Sequence, residues 1–474
     1  MKTLFLVATT ACVLFLSCQK DTPPPPDNTK DTTSLYLWAN DKVQINPEIF
    51  GVNNSWNWIA NADFPSFISA LEKINYKLLR FPGGWESEHY NWNNNTTPGW
   101  SKPPARIGAS PATLVNNVSS FSIVLPTLPA MDKPLWSTAW WDAVAKLQKT
   151  AVTAINKVGA DKVKIVEIGN EWWLHWGGGV PRRDKLRKYA KIAMNIAEHL
   201  NQRFPERTFK LLINGDFTHP EEFTAMRKEF APNMKAYNAI DGVALHPYVG
   251  YDSATNAIEK LPYRIKHCAS NFNPEKKYVY LSEWAASRAY NSDKRYMQNA
   301  NILPDIIHIF ARAGVKAAAY WPPINGNAAG IGLLSSDYKT LWPNAQILGE
   351  LARNYTGHAV STKSGSVHLA AARNDDNTLT LYVTGSDRPA TRVSIKVYGF
   401  TVASIKEVVK FRPANYKQTK LAAPYVRETA SARLDTVHNR VLLNINVPGQ
   451  YEIFKVVLKQ QGHAQSLYGA YEGH

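Results

Sequence analysis

Apolar residues recur along this chain in two different rhythms. From Ile49 to about Trp321, short apolar runs alternate with stretches of helical period. The runs are "IFGVN" (49–53), "KLLRFPGG" (77–84), "SIVLPT" (122–127), "VKIVEIGN" (163–170), "KLLINGD" (210–216), "GVALHPY" (242–248), "YVYLSEW" (278–284) and "VKAAAYW" (315–321). Between most of them lie amphipathic helix candidates at 140–158, 184–203, 220–230, 255–268 and 293–313. Near-continuous apolar strands are expected where helices cover both faces of a parallel sheet. Eight strand–helix repeats predict an α/β fold, a closed (β/α)8 TIM barrel over residues 49–355, with "LWPNAQILGELARNY" (341–355) as its last helix. No GxGxxG follows the first strand, which speaks against an open dinucleotide-binding sheet.

After residue 356 the rhythm shortens to two. "SVHLAAARN", "TLTLYVTGS", "RVSIKVYGF", "SIKEVVKF", "RVLLNINV" and "QYEIFKVVL" alternate and are separated by turn residues. They predict an antiparallel β-sandwich over 356–460. The strand-like "LYLWA" and "KVQIN" precede the barrel, and residues 35–48 are expected to return and join the sandwich. Residues 461–474 read as a tail.

The start of the chain follows neither rhythm. "MKTLFLVATTACVLFLSC" has a basic start and an apolar run too short to span a membrane, so residues 1–18 read as a secretory signal. "LFLSC" resembles a bacterial lipobox, which implies lipidation at Cys18 and a mature chain anchored in the bacterial envelope, at the outer membrane. The polar, Pro-rich stretch 19–34 would be the tether. Of the three cysteines, Cys12 leaves with the signal, Cys18 carries lipid and Cys268 has no partner. No disulfide and no cysteine metal site are expected.

Composition fits a folded, exported protein: 45% hydrophobic and 19% charged residues, with 15 Trp and 22 Tyr. Aromatics in such numbers fill cores and also build sugar-binding platforms. The formal net charge of +16 would suit nucleic acid, an anionic membrane surface or an acidic polymer. No nucleic-acid motif is present, and the basic residues are spread along the chain. The charge reads as a generally basic surface, with an acidic or sulfated glycan as the alternative.

In a barrel of this kind the site forms where the strands end. Strand 2 ends in Arg80 and "FPGGWESEHYNW", which supplies Trp85 and Glu86. Strand 4 ends in Asn170 and Glu171, followed by Trp172, and strand 5 in Asn214 and Asp216. Strand 6 ends in His246 and Tyr248, strand 7 in Glu283 and Trp284, and strand 8 in Trp321. Two carboxyls on different strand ends, among aromatics, point to glycoside hydrolysis. One protonates the leaving oxygen, and the other attacks the anomeric carbon or activates water. Glu167 alternates in register with Glu171, so it is expected deeper in the barrel, paired with a basic group. His89 and His175 lack metal-ligand spacing, and no metal or organic cofactor is expected. No GxSxG elbow points to an esterase.

"EIGNE" closing one strand and "LSEW" closing a later one resembles glycoside hydrolase clan A. "LRFPGGWESEHYNW" is similar to the strand-2 segment of family 51 α-L-arabinofuranosidases, and "INPEIFGVN" to their first strand. The resemblance spans about residues 35–460 and implies a retaining enzyme on a poly- or oligosaccharide, plant or algal. It makes Glu171 the acid/base and Glu283 the nucleophile, with Asn170 on a substrate hydroxyl and Arg80 supporting Glu283. His246 and Tyr248 would line the site. Two stretches depart from the family. "GVNNSWNW" lacks the glutamate that grips a terminal arabinose, and "WWLHWGGG" after Glu171 is unusually aromatic. Flat rings stack on several sugars, which favours an endo-acting clan A glycanase on agar-like, xylan-like or uronate-containing chains. A non-catalytic glycan-binding lipoprotein on a retired barrel would have lost a carboxylate, and both are present. The sequence leaves the oligomeric state open.

Overall fold

The structure, a computed structural model, describes residues 32–97, 107–175, 179–250, 257–276, 278–286, 295–324, 331–364, 367–384, 392–414, 425–444 and 451–461. The signal, Cys18, most of the tether, most of the tail and Trp176 lie outside the described residues.

The first ten strands are β1 (Thr32–Gln44), β2 (Gly51–Asn53), β3 (Leu79–Phe81), β4 (Phe121–Leu125), β5 (Val163–Ile168), β6 (Lys210–Gly215), β7 (Gly242–Leu245), β8 (Tyr248–Val249), β9 (Tyr278–Ala286) and β10 (Ala317–Tyr320). All but β1 form one parallel sheet in the order β10-β2-β3-β4-β5-β6-β7-β9-β8, and a β10–β9 pairing closes it into a barrel. The eight expected strands are thus present, and β8 is a short extra strand on the end of β9. Helices Thr138–Val158, Arg182–Arg203, Pro220–Phe230, Leu261–Phe272 and Arg295–Arg312 fall close to their expected places. Ser137 caps the first of these by accepting the Trp140 N–H at 3.1 Å.

Alternation inside the barrel prepares the site. Leu78, Ile165, Leu212, Ala244, Tyr280, Ala317 and Ala319 make an apolar floor. Two residues further along the same strands the side chains facing inward become polar: Arg80, Glu167, Asn214, His246 and Ser282, all buried. A dry floor therefore carries a polar layer at the strand ends.

The remaining strands are β11 (His358–Lys363), β12 (His368–Arg373), β13 (Thr378–Thr384), β14 (Arg392–Tyr398), β15 (Val402–Pro413), β16 (Tyr425–Thr429), β17 (Ala432–Asp435), β18 (Arg440–Asn444) and β19 (Ile453–Gln460). With β1 they form a ten-stranded sheet. Its strands alternate. Leu379, Leu381 and Val383 of β13 join the sheet's own sandwich-like core, with Leu35, Leu37, Ile395 and Val456. Tyr382, Ala370 and Ile453 point the other way and extend the barrel's core.

Three details differ from the sequence reading. "LYLWA" and "KVQIN" are one strand, β1, with an irregularity between Trp38 and Lys42 in place of a turn. It begins at Thr32, inside the stretch read as tether, and pairs with β14 in parallel within an otherwise antiparallel sheet. β11, β16 and β17 carry too few consecutive apolar alternations to stand out; their burial patterns are mixed.

Close strand approach leaves no room at Gly242, where an added Cβ would lie 1.9 Å from the Tyr278 carbonyl oxygen. Gly242→Ala is expected to destabilise the fold by about 1–3 kcal/mol or more, read as a lower midpoint in urea unfolding.

Candidate active site

Arg80 is the hub of the polar layer. Its side chain is fully buried and every branch of the guanidinium is used. Nε donates to Glu167 Oε2 at 2.7 Å. Nη1 donates to Glu283 Oε1 at 2.7 Å and to Asn53 Oδ1 at 2.9 Å. Nη2 donates to Asn170 Oδ1 at 2.7 Å. Burial opposes the charge, but the Glu167 and Glu283 carboxylates outweigh it and hold Arg80 protonated far above its ordinary range. Glu167 in turn accepts from Asn214 Nδ2 and Ser282 Oγ, both at 2.8 Å, and is wholly buried. Burial would raise its carboxyl, yet Arg80 and His246 hold it below the usual carboxylate range.

Glu283 receives a second hydrogen bond, from the Tyr248 hydroxyl to Oε2 at 3.0 Å. Glu171 stands across from it on the β5 end and is the more open of the two, its side chain 21% exposed against 5% for Glu283. One oxygen of each and a ring nitrogen of His246 all lie within 4.8 Å of one another. His246 Nδ1 is 3.1 Å from Glu171 Oε1 and 3.7 Å from Glu283 Oε2. Burial works against a charged imidazole, but Glu283, Glu167 and Glu171 together push His246 up to about 10. The carboxylates around it thus favour the ring as a cation at neutral pH.

Asn170 spends its side-chain oxygen on Arg80. Its Nδ2 is buried and has no hydrogen-bond partner among the described residues. A buried donor without a partner is costly, and this one stands on the strand end beside Glu171.

Aromatic residues divide sharply. Trp172 is 0% exposed and stacks on Tyr189 at 5.5 Å. Trp284 is likewise 0% exposed, wedged edge-on against Phe310 and Tyr320. Their positions at strand ends suggest substrate contact. Wholly buried rings offer no face to a sugar, so these two are packing residues. Trp92 is buried against Phe81 and Tyr90. Trp321 and Trp85 remain half-buried. Trp321 meets Trp58, 44% exposed, at 6.1 Å. Trp85 lies over His175 at 4.3 Å.

Glu86 sits beside Gly84 and Trp321: a Cβ on Gly84 would fall 2.8 Å from Glu86 Oε2 and 2.5 Å from the Trp321 ring. Burial, with Glu283 adding to it against hydrogen bonds from its own backbone and Asn57, raises the Glu86 carboxyl to about 7. Asp216 is elsewhere, bound to Arg182 at 2.6 Å. Asn53, Ser282 and Glu88 escaped the sequence reading. Asn53 and Ser282 are inward-facing by strand alternation, a signal that was present; Glu88 closes a single 3-10 turn, Trp85–Glu88, too short to show a period.

No family model matches this sequence, and no curated protein matches it. Solved structures do. The GH51 arabinofuranosidase from Xanthomonas axonopodis pv. citri superposes with a TM-score of 0.65 at 15% identity, over 90% of this chain and 99% of that one. A bifunctional glucanase-xylanase from a metagenome library gives 0.62 at 15%, over 91% and 100%. A Paenibacillus polymyxa xyloglucanase of glycoside hydrolase family 44 gives 0.58 at 14%, over 91% and 100%. At such identities the likeness is one of fold. The chain has the barrel-plus-sandwich architecture found in these glycoside hydrolases.

The His246 cation ties stability to pH. Its folded value of about 10 lies above the ordinary one of about 6.5, so its contribution is whole below about pH 6.5 and lost as pH rises through about 10. Thermal midpoints measured across that window should fall in the wild type and fall less in His246→Gln.

Proposed function

We propose that this chain is a retaining glycoside hydrolase acting on a plant or algal polysaccharide, α-L-arabinofuranosidase-like, with Glu283 as nucleophile and Glu171 as acid/base. The observation that carries this is the Glu171–Glu283 pair, with oxygens within 4.8 Å of one another. Retaining enzymes hold their carboxyls about 5–5.5 Å apart, whereas inverting ones leave room for a water between.

The surroundings support the division of labour. Arg80 Nη1 and the Tyr248 hydroxyl each bind one oxygen of Glu283, fixing the carboxylate for attack on the anomeric carbon. As that bond forms, the glycosidic C–O bond breaks and Glu171 gives its proton to the leaving oxygen. Glu171 then takes a proton from water, which displaces Glu283 from the sugar. The free Asn170 Nδ2 is placed to donate to the hydroxyl next to the anomeric carbon, a hydrogen bond that strengthens in the transition state. Glu86, Trp85 and Trp321 line the approach.

An endo-acting reading has one specific observation behind it. Exposed Trp58 and half-buried Trp321 form a pair beside the site, more stacking surface than one terminal sugar needs. A panel of arabinan, xylan, agarose and polyuronate with product sizing separates the two. Released monosaccharide favours the first reading and an oligosaccharide ladder the second. Glu171→Ala and Glu283→Ala should each lower turnover on the panel's substrate by about 10²–10⁴-fold. Near wild-type turnover in either variant overturns the assignment.

The leader motif supports a lipid anchor on Cys18 in the bacterial envelope. In a bacterial host, Cys18→Ser is expected to abolish palmitate incorporation and move the protein from membrane to soluble fractions. Unchanged labelling would sink that part of the reading.

A further inference from the structure

Glu88 is buried and lies outside the carboxylate pair. Its two oxygens are spent on main chain. Oε1 accepts the Asn170 N–H at 2.5 Å. Oε2 accepts the N–H groups of Thr127 at 2.5 Å and Leu128 at 2.7 Å. The Thr127 hydroxyl adds a contact at 3.1 Å. One side chain from the loop after β3 thus joins the loops after β4 and β5.

His175 completes the grip from the other side. Its Nε2 is 2.5 Å from the Asn170 carbonyl oxygen and 3.7 Å from Glu88 Oε1. Burial favours a neutral ring, but the nearby Glu88 carboxylate holds His175 above its ordinary value; the same pairing, with main-chain donors and against burial, holds Glu88 below its own. With Nε2 carrying a proton, the ring donates to the Asn170 carbonyl. Trp85 covers it at 4.3 Å.

The residue that follows is Glu171, and its backbone is unusual. Its φ is +48°, in the left-handed region that side chains other than glycine avoid. Such a conformation persists only where the surroundings over-determine it. Three hydrogen bonds do so here: Glu88 on the Asn170 N–H, His175 on the Asn170 carbonyl, and Asn214 Oδ1 on the Glu171 N–H at 2.8 Å.

We propose that Glu88 and His175 are positioning residues that hold the Asn170–Glu171 turn in its left-handed form, so that the Glu171 carboxyl faces the leaving oxygen. The proposal rests on the reading of Glu171 as acid/base. It assigns a purpose to two buried ionisable groups where apolar side chains would give a more stable core.

The test compares Glu88→Gln, His175→Phe and His175→Gln with wild type and Glu171→Ala. The probes are arabinan and 2,4-dinitrophenyl α-L-arabinofuranoside, or xylan and 2,4-dinitrophenyl β-xylobioside where the panel returns ladders. Glu88→Gln turns an amide N–H₂ against main-chain donors, and His175→Phe keeps a ring without a donor. Each should lower kcat on the polysaccharide about 100-fold with KM within about 2-fold, as expected for a displaced catalytic group. The dinitrophenolate leaving group needs no proton, so its pre-steady-state burst should slow by less than about 10-fold. His175→Gln, which restores a donor, should recover at least about 10-fold over His175→Phe. Equal loss on both probes, a loss confined to KM, or wild-type kcat in both Glu88→Gln and His175→Phe overturns the proposal. If Glu88→Gln does not fold, the Phe–Gln comparison at 175 decides alone. Full turnover in Glu171→Ala would instead overturn the acid/base reading itself.

Discussion

A single buried cation organises the polar layer at the barrel's strand ends. Removing an arginine from water is costly unless each branch finds a partner. Arg80 finds four, carried by three strands, β2, β5 and β9, and the end of β5. Its demand for negative charge explains why Glu167 lies deep in the barrel and why Glu283 is fixed at the rim. With His246 as a second cation, the layer holds two positive and three negative groups in a space sealed below by apolar side chains. None of these groups is independently placed. Each is where it is because another would otherwise be unpaired.

That interdependence also explains what the sequence made legible. The barrel emerges from apolar runs because each strand is buried on both faces, and strand ends can be counted once the runs are found. Glu171, Glu283, Arg80 and Asn170 were visible for that reason. Glu167 was separable from Glu171 by parity alone, since four residues along a strand return a side chain to the same face at a different depth. Glu88 and His175 were not legible, because they sit in short connecting segments and their partners are main-chain groups that carry no sequence signature. Trp172 and Trp284 show the opposite failure. A residue next to a strand-end carboxylate points into either the cavity or the surrounding packing, and composition does not say which. In the small sheet, β11, β16 and β17 escaped because their mixed burial breaks the alternation on which strand recognition relies.

The two halves of the molecule are less separate than their rhythms imply. One face of the ten-stranded sheet belongs to the barrel's core and the other to its own. Lys455 of β19 reaches Glu350 on the last barrel helix at 3.0 Å and Glu407 of β15 at 2.9 Å. Arg312, at the end of another helix, is 3.0 Å from Asp41 in β1. The sheet therefore acts as a wall of the barrel.

β1 gives that wall a history. It lies between β11 and β14, inside the sheet, and its Gln44 side chain bonds a carbonyl 313 residues further along the chain. β1 thus has no strand partner until β11 and β14 exist. Contacts of such separation form late and slowly. Until then β1 is an unpaired strand, a target for chaperones or for another copy's edge. Arrival of β11 and β14 is what retires that hazard, which makes the early strands of the C-terminal sheet a quality check on β1.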